Sequence, residues 1–263
     1  MSIATRLDKT FTRLGERTAF VAYLMGGDPD IDGSFALMSG LPGAGVDIIE
    51  LGMPFTDPAA DGPTIEDAGL RSLAAGTTLD DILGMVRRFR TSDCETPIIL
   101  MGYANPVHHR GYARFAKDMA KAGADGAILV DLPPEEDGEL RAAFEEHALA
   151  LIRLATPTTD TQRLPQVVAG TRGFVYYVSM TGITGSAEAS ATGLSEQVEA
   201  VRSAANLPVV VGFGIKTPER AAEIAAIADG VVVGSAIVAE AHAKGVEAAL
   251  ELTRKLAEAT HSV

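Results

Sequence analysis

Apolar and polar positions alternate along this chain in two textures. Short apolar runs occupy residues 19–25, 46–51, 97–101, 126–131, 150–155, 173–179, 208–212 and 230–234. They are five to seven residues long and rich in Val and Ile, which suits strands buried on both faces. Between them lie segments with apolar residues at helical spacing: 34–41, 79–90, 112–122, 135–148, 161–169, 194–205 and 218–228. A last segment, 246–259, carries Val246, Ala249, Leu250, Leu252 and Leu256 as one stripe. Ahead of the first run, residues 2–15 place Ile3, Leu7, Phe11 and Leu14 at helical spacing, suited to closing a barrel floor.

Eight strands alternating with eight helices predict a single α/β domain over 1–263, a (β/α)8 TIM barrel with an extra N-terminal helix. The competing doubly wound sheet wants a Gly-rich turn after its first strand. Met25-Gly26-Gly27-Asp28-Pro29 lacks the full dinucleotide fingerprint. Two connections are longer than a barrel needs, 53–78 after the second strand and 180–193 after the sixth. Both follow strand C-termini, the face on which barrel active sites are built.

Composition narrows the class. With 22 basic against 35 acidic residues the net charge is −13, and no basic block offers a surface for nucleic acid or an anionic membrane. Hydrophobic residues at 47% exclude a disordered tail protein. The first nine residues do not read as a signal peptide, and no window approaches 18 uninterrupted apolar residues. A single cysteine, Cys94, rules out an intramolecular disulfide. The expectation is a soluble, cytoplasmic protein.

Period-two alternation in Val46-Asp47-Ile48-Ile49-Glu50-Leu51 puts Glu50 on the face shared by Val46 and Ile48. A carboxylate inside a parallel barrel is costly unless it is paired or protonated. Glu50 therefore reads either as a structural acid with a cationic partner or as a general acid/base whose pKa burial raises. Asp61, within Thr56-Asp57-Pro58-Ala59-Ala60-Asp61-Gly62-Pro63-Thr64, is a second candidate against a plain turn or cap role. Asp57 fits the turn role better still. Asp131, before Leu132-Pro133-Pro134, suits either a ligand-orienting acid or a turn cap.

Gly212-Phe213-Gly214-Ile215-Lys216 follows the seventh run and leads into Thr217-Pro218-Glu219, while Gly234-Ser235-Ala236-Ile237-Val238 follows the eighth. Glycines at adjacent strand ends let backbone N–H groups approach an anion, and this is where barrels often hold a phosphate. Thr181-Gly182-Ile183-Thr184-Gly185-Ser186-Ala187 has the composition of a lid with Gly hinges or of an ordinary loop. None of the five histidines falls at a strand C-terminus or at metal-ligand spacing. Of the six lysines only Lys216 is placed near the mouth. Carboxylate chemistry without metal or redox cofactor is the class that remains.

The run Ile49-Glu50-Leu51-Gly52-Met53-Pro54-Phe55-Thr56-Asp57-Pro58-Ala59-Ala60-Asp61-Gly62-Pro63-Thr64-Ile65 closely resembles the signature of the tryptophan synthase alpha chain family. Similar segments follow in order at 23–29, 101–106, 131–133, 176–185, 212–215 and 234–238, so the resemblance spans nearly the whole chain. It implies retro-aldol cleavage of indole-3-glycerol phosphate to indole and glyceraldehyde 3-phosphate. Glu50 matches the family's proton shuttle, and Asp61 the carboxylate that accepts the indole N–H. The resemblance implies phosphate contacts from Gly185, Gly214, Gly234 and Ser235, with Phe213 alongside. It implies an indole pocket of Tyr23, Ile65, Met101 and Ile128, with Tyr176 near the glycerol chain and Thr184 engaging Asp61 on lid closure. Tyr23 stands where a phenylalanine can occur, adding a hydroxyl that needs a partner.

A partner is implied as well: the pyridoxal-phosphate-dependent beta chain, in an αββα heterotetramer that passes indole through an internal tunnel. Loops around 54–57 and 105–108 would meet it, and this chain itself would bind no cofactor. Three alternatives stand beside this reading: a lyase acting alone that releases free indole, a catalytically silent barrel that binds phosphate and regulates a partner, and a phosphosugar isomerase, disfavoured by the absence of a strand-end histidine.

Overall fold

The computed structural model of the chain describes residues 4–179, 191–212 and 214–263. The apolar runs form strands β1 (Ala19–Met25), β2 (Ile48–Gly52), β3 (Ile98–Gly102), β4 (Gly126–Leu129), β5 (Ala150–Leu151), β6 (Leu154–Ala155), β7 (Val175–Val178), β8 (Val209–Gly212) and β9 (Gly230–Val233). All pair in parallel, in the order β5-β4-β3-β2-β1-β9-β8-β7-β6. The two ends of that order are halves of one run. Ile152 N–H still donates to the Ala127 carbonyl and Tyr176 N–H to the Arg153 carbonyl, each at 3.0 Å, so the sheet closes into the expected eight-stranded cylinder. The ladder breaks where Arg153, buried, makes an ion pair with Asp137 and donates to the Val167 carbonyl at 3.1 Å.

Around the cylinder run α1 (Arg6–Leu14), α2 (Ile31–Gly40), α3 (Pro63–Ala74), α4 (Leu79–Phe89), α5 (Ala104–Arg110), α6 (Tyr112–Ala122), α7 (Gly138–Glu146), α8 (Leu164–Val168), α9 (Ala191–Ala205), α10 (Pro218–Ala225), α11 (Ser235–Lys244) and α12 (Val246–His261). Their starts follow from local chemistry. Thr5 with Asp8, and Thr78 with Asp81, form reciprocal capping boxes, and Thr217 caps α10 ahead of Pro218. Val21, Ile48, Ile99, Ile128, Ile152, Val210 and Val232 fill the barrel interior. Leu7 of α1 joins that cluster and Phe11 packs on Phe174, so the N-terminal helix does close the floor. No helix among the described residues is long and apolar enough to cross a membrane.

Three helices depart from the sequence reading. The connection 53–78, expected as a long loop, contains α3, whose buried face is Ala68, Gly69 and Ser72 and therefore leaves no apolar stripe. The segment bearing His108 and His109, also expected as loop, is α5, which buries only Val107. Residues after Gly234 continue as α11, alanine-rich and anchored by Ile237 and Val238. The connection 180–193 lies mostly outside the described residues, with α9 beginning at Ala191.

Candidate active site

Glu50 sits on β2 in register with Tyr23 of β1 and Ile99 of β3. Its exposure is 0%, and neither carboxyl oxygen has a hydrogen-bond partner. The structural-acid alternative required a cation beside it, and none pairs with it among the described residues. Desolvation alone raises its pKa from 4.5 to about 8, so near neutral pH the carboxyl is chiefly protonated.

Two phenols are built in beside it by glycines. A Cβ at Gly52 would stand 2.2 Å from the Tyr23 hydroxyl, and one at Gly212 would stand 2.1 Å from the Tyr176 hydroxyl. Each ring thus fills the inward space that a side chain on the next strand would occupy. Burial pushes both phenols well above their ordinary value and keeps them neutral donors, with a smaller push from the carboxyls nearby, Asp61 and then Glu50 for Tyr23 and Glu50 for Tyr176.

Asp61 lies between β2 and α3, and the helix fixes where it stands. Ser72 donates to the Gly26 carbonyl at 2.6 Å, and Arg71 clasps Asp28 through two bonds of 2.7 and 2.8 Å. Those contacts hold α3 on the rim above β1. Desolvation raises the Asp61 pKa to about 6, a hydrogen bond from the Tyr103 hydroxyl opposes it, and the negative charge of Glu66 adds to it. Tyr103 also accepts from Ala60 N–H at 3.1 Å and stacks on Phe55 with centroids 5.3 Å apart, so it organises the whole segment. Asp131 lies past the end of β4, accepts from Ala104 N–H at 2.7 Å at the start of α5, and also lines the site cavity.

A cavity of about 1180 Å³ opens at the C-terminal ends of the strands, lined by Tyr23, Glu50, Asp61, Ile65, Met101, Tyr176, Gly214, Gly234 and Ser235, among others. At one end α11 begins at Ser235 without a side-chain cap, leaving its first N–H groups free to meet an anion. Gly214, at φ +76°, turns the backbone beside it. Lys216 stands on the same rim. Among the described residues no cluster of His, Cys, Asp or Glu has the geometry of a metal site.

The chain has close counterparts among known proteins. The family model described as tryptophan synthase alpha chain matches residues 11–262. The chain belongs to the tryptophan synthase alpha chain family. A tryptophan synthase alpha subunit from Legionella pneumophila str. Paris is 40% identical over 99% of this chain and 100% of its own, with TM-score 0.91. Tryptophan synthase from M. tuberculosis, in an open form with BRD0059 bound, contains a chain 38% identical over 98% of this chain and 99% of its own, with TM-score 0.89. A structure from Aquifex aeolicus VF5 is 37% identical over 97% and 98%, with TM-score 0.90. As a member of this family the protein is a carbon–carbon lyase acting on indole-3-glycerol phosphate, the alpha reaction of tryptophan biosynthesis.

Against the family's residues, the structure gathers Tyr23, Glu50, Asp61, Ile65, Met101, Tyr176, Gly214, Gly234 and Ser235 around one cavity. Ile128 is not among the lining residues; it lies wholly buried in the barrel interior, while Leu129 and Val130 line the wall. Thr184, Gly185 and Phe213 lie outside the described residues. Tyr103 is the residue that sequence reasoning passed over. Its position one step beyond β3 was the available signal, since strand ends face the site.

Proposed function

We propose that Glu50 is the acid/base and Asp61 the electrostatic partner of the cleavage. The observation that carries this is the split in proton affinity, about 8 for Glu50 and about 6 for Asp61, within one cavity. Near neutral pH one carboxyl holds its proton and the other is largely charged, which assigns acid and anion to different groups. Glu50 gives its proton to C3 of indole, and positive charge develops on the ring nitrogen. Asp61 accepts that N–H and stabilises charge that exists only as the bond breaks. Glu50, now a carboxylate, takes the C3′ hydroxyl proton while the C3–C3′ electron pair returns to the indole. Indole leaves, C3′ becomes the aldehyde carbon of glyceraldehyde 3-phosphate, and Glu50 is protonated again.

The first N–H groups of α11, with Gly214, would hold the phosphate, with Gly185 and Phe213 on the strength of the family resemblance. Tyr23, Ile65 and Met101 would enclose the indole, and Tyr176 the glycerol chain. Ile128 would support that pocket from beneath. Thr184 would reach Asp61 as the lid closes. A beta chain in an αββα assembly in the cytoplasm fits the same reading. Phe55 stacks on Tyr103, which holds Asp61, so a partner pressing on 54–57 and on α5 would bias the catalytic carboxylate directly.

The test is indole release from indole-3-glycerol phosphate with and without a matched beta chain. Release that rises strongly with the beta chain, and that falls by at least about 10³-fold in Glu50→Gln while phosphate-ligand affinity stays within several-fold, is expected. Near-wild-type turnover in that variant would remove Glu50 from the chemistry. Fast release by the chain alone would favour a stand-alone lyase, and ligand binding without release a silent barrel.

A further inference from the structure

Among the described residues the Tyr23 hydroxyl is a donor without an adequate acceptor. Tyr23 is 7% exposed, and the one partner its hydroxyl has among them is the Met25 thioether at 4.0 Å, a weak acceptor. Its position is fixed from both ends. Its Cβ side packs on Gly234, at the phosphate end, and its oxygen lies over Gly52. Glu50 and Gly52 face the same side of β2 one layer apart, so the phenol oxygen stands a layer above the Glu50 carboxyl. That is the mouth side of the barrel, from which the 53–62 segment carries Asp61 over the cavity.

We propose that the Tyr23 hydroxyl is a second hydrogen-bond donor to the Asp61 carboxylate, complementary to Tyr103, and that it holds this carboxylate charged when ligand fills the cavity. Tyr103 meets Asp61 from the end of β3, leaving the carboxylate further lone pairs. Of the two carboxylates whose charges bear on the Tyr23 phenol, that of Asp61 weighs more. Ligand filling the cavity displaces water from around Asp61, which favours its protonated form and would disarm it; a phenol donor delivered by rigid β1 offsets that cost. Of the other titratable groups, Glu66 from α3 bears on Asp61, and Glu50, Asp131 and Lys216 line the same cavity. Glu50, itself chiefly protonated near neutral pH, stands a layer below the place that the Tyr23 hydroxyl occupies. Tyr23 acts through Asp61 and is a positioning residue.

This rests on the proposed roles of the two carboxylates, so one readout must not depend on turnover. Asp61 is titrated by infrared difference spectroscopy against Asp61→Asn, with indole-3-propyl phosphate bound as an unreactive ligand, in wild type and Tyr23→Phe. The expected result is an Asp61 midpoint raised by about half a pH unit or more in Tyr23→Phe, with the acid limb of kcat/KM moving by a similar amount. A midpoint that stays put overturns the proposal whatever the kinetics show. A midpoint that moves in protein that cleaves nothing supports the hydrogen bond and refutes the catalytic reading instead. Binding of the propyl ligand within several-fold of wild type shows that the ring still fills its place.

Discussion

Burying Glu50 without a partner carries a stability cost that can be calculated and measured. Its ordinary pKa is 4.5 and its folded value is about 8, so between those values the folded chain binds more protons than the unfolded one. Stability therefore falls as pH rises through that window and levels off above it. At about 1.4 kcal/mol per pH unit, the stability lost on this account is roughly 3 kcal/mol by pH 7 and approaches 5 kcal/mol above pH 8. Glu50→Gln keeps the side-chain shape and removes the titration. In urea unfolding, the stability of the variant minus that of wild type should grow by about 2–3 kcal/mol between pH 5 and pH 7, and by about 4 kcal/mol by pH 9. Taking the difference cancels every other group that titrates in the same range. A gap that is the same at all three pH values would show that Glu50 finds a partner or water in solution, and the acid/base assignment would lose its physical basis.

Asp47, on the barrel floor, should behave in the opposite sense. Burial pushes its carboxyl up, but the His261 hydrogen bond at 2.7 Å, the Phe20 amide and the Arg17 charge outweigh burial and hold it below its usual value. Its contribution is present above the unfolded pKa and is lost as pH falls through the folded one. Asp47→Asn should cost roughly 3 kcal/mol near pH 7 in urea unfolding and progressively less below pH 4; a cost independent of pH would contradict the clamp. Gly214→Val places a side chain at φ +76° and blocks the backbone approach to phosphate, so KM should rise about tenfold or more with kcat changed far less. An unchanged KM would take Gly214 out of the phosphate site.

How much was legible depended on whether a residue's role is set by pattern or by contact. The strands were legible because a parallel barrel buries both faces, so Val- and Ile-rich runs such as 208–212 can scarcely be anything else. Glu50 was legible because an acid inside such a run breaks the pattern. Helix α3 was not, since it packs through Ala68, Gly69 and Ser72 and is held by the Arg71–Asp28 pair across 43 positions of sequence. Periodicity carries no trace of such a clasp. Tyr103 escaped for the same reason: a phenol at a strand end looks like packing until Ala60 and Asp61 are seen folded onto it. Asp131 read equally as ligand or cap, and the structure gives it both a bond from Ala104 N–H and a place on the cavity wall.

The two carboxyls obtain different proton affinities from different parts of the architecture. Glu50 sits on a strand whose neighbours are fixed by hydrogen-bond ladders, and its value near 8 follows from desolvation at that position. Asp61 stands on a connection whose surroundings are partly supplied by Tyr103 and Phe55, and its value near 6 reflects a contest between desolvation and a donor. A site divided in this way has a constant acid and an adjustable anion. Only the adjustable half can be tuned by whatever presses on the 54–57 segment or α5. Perturbations of those surfaces should therefore move the acid limb of the pH–rate profile, set by Asp61, while leaving the Glu50 limb where the barrel put it.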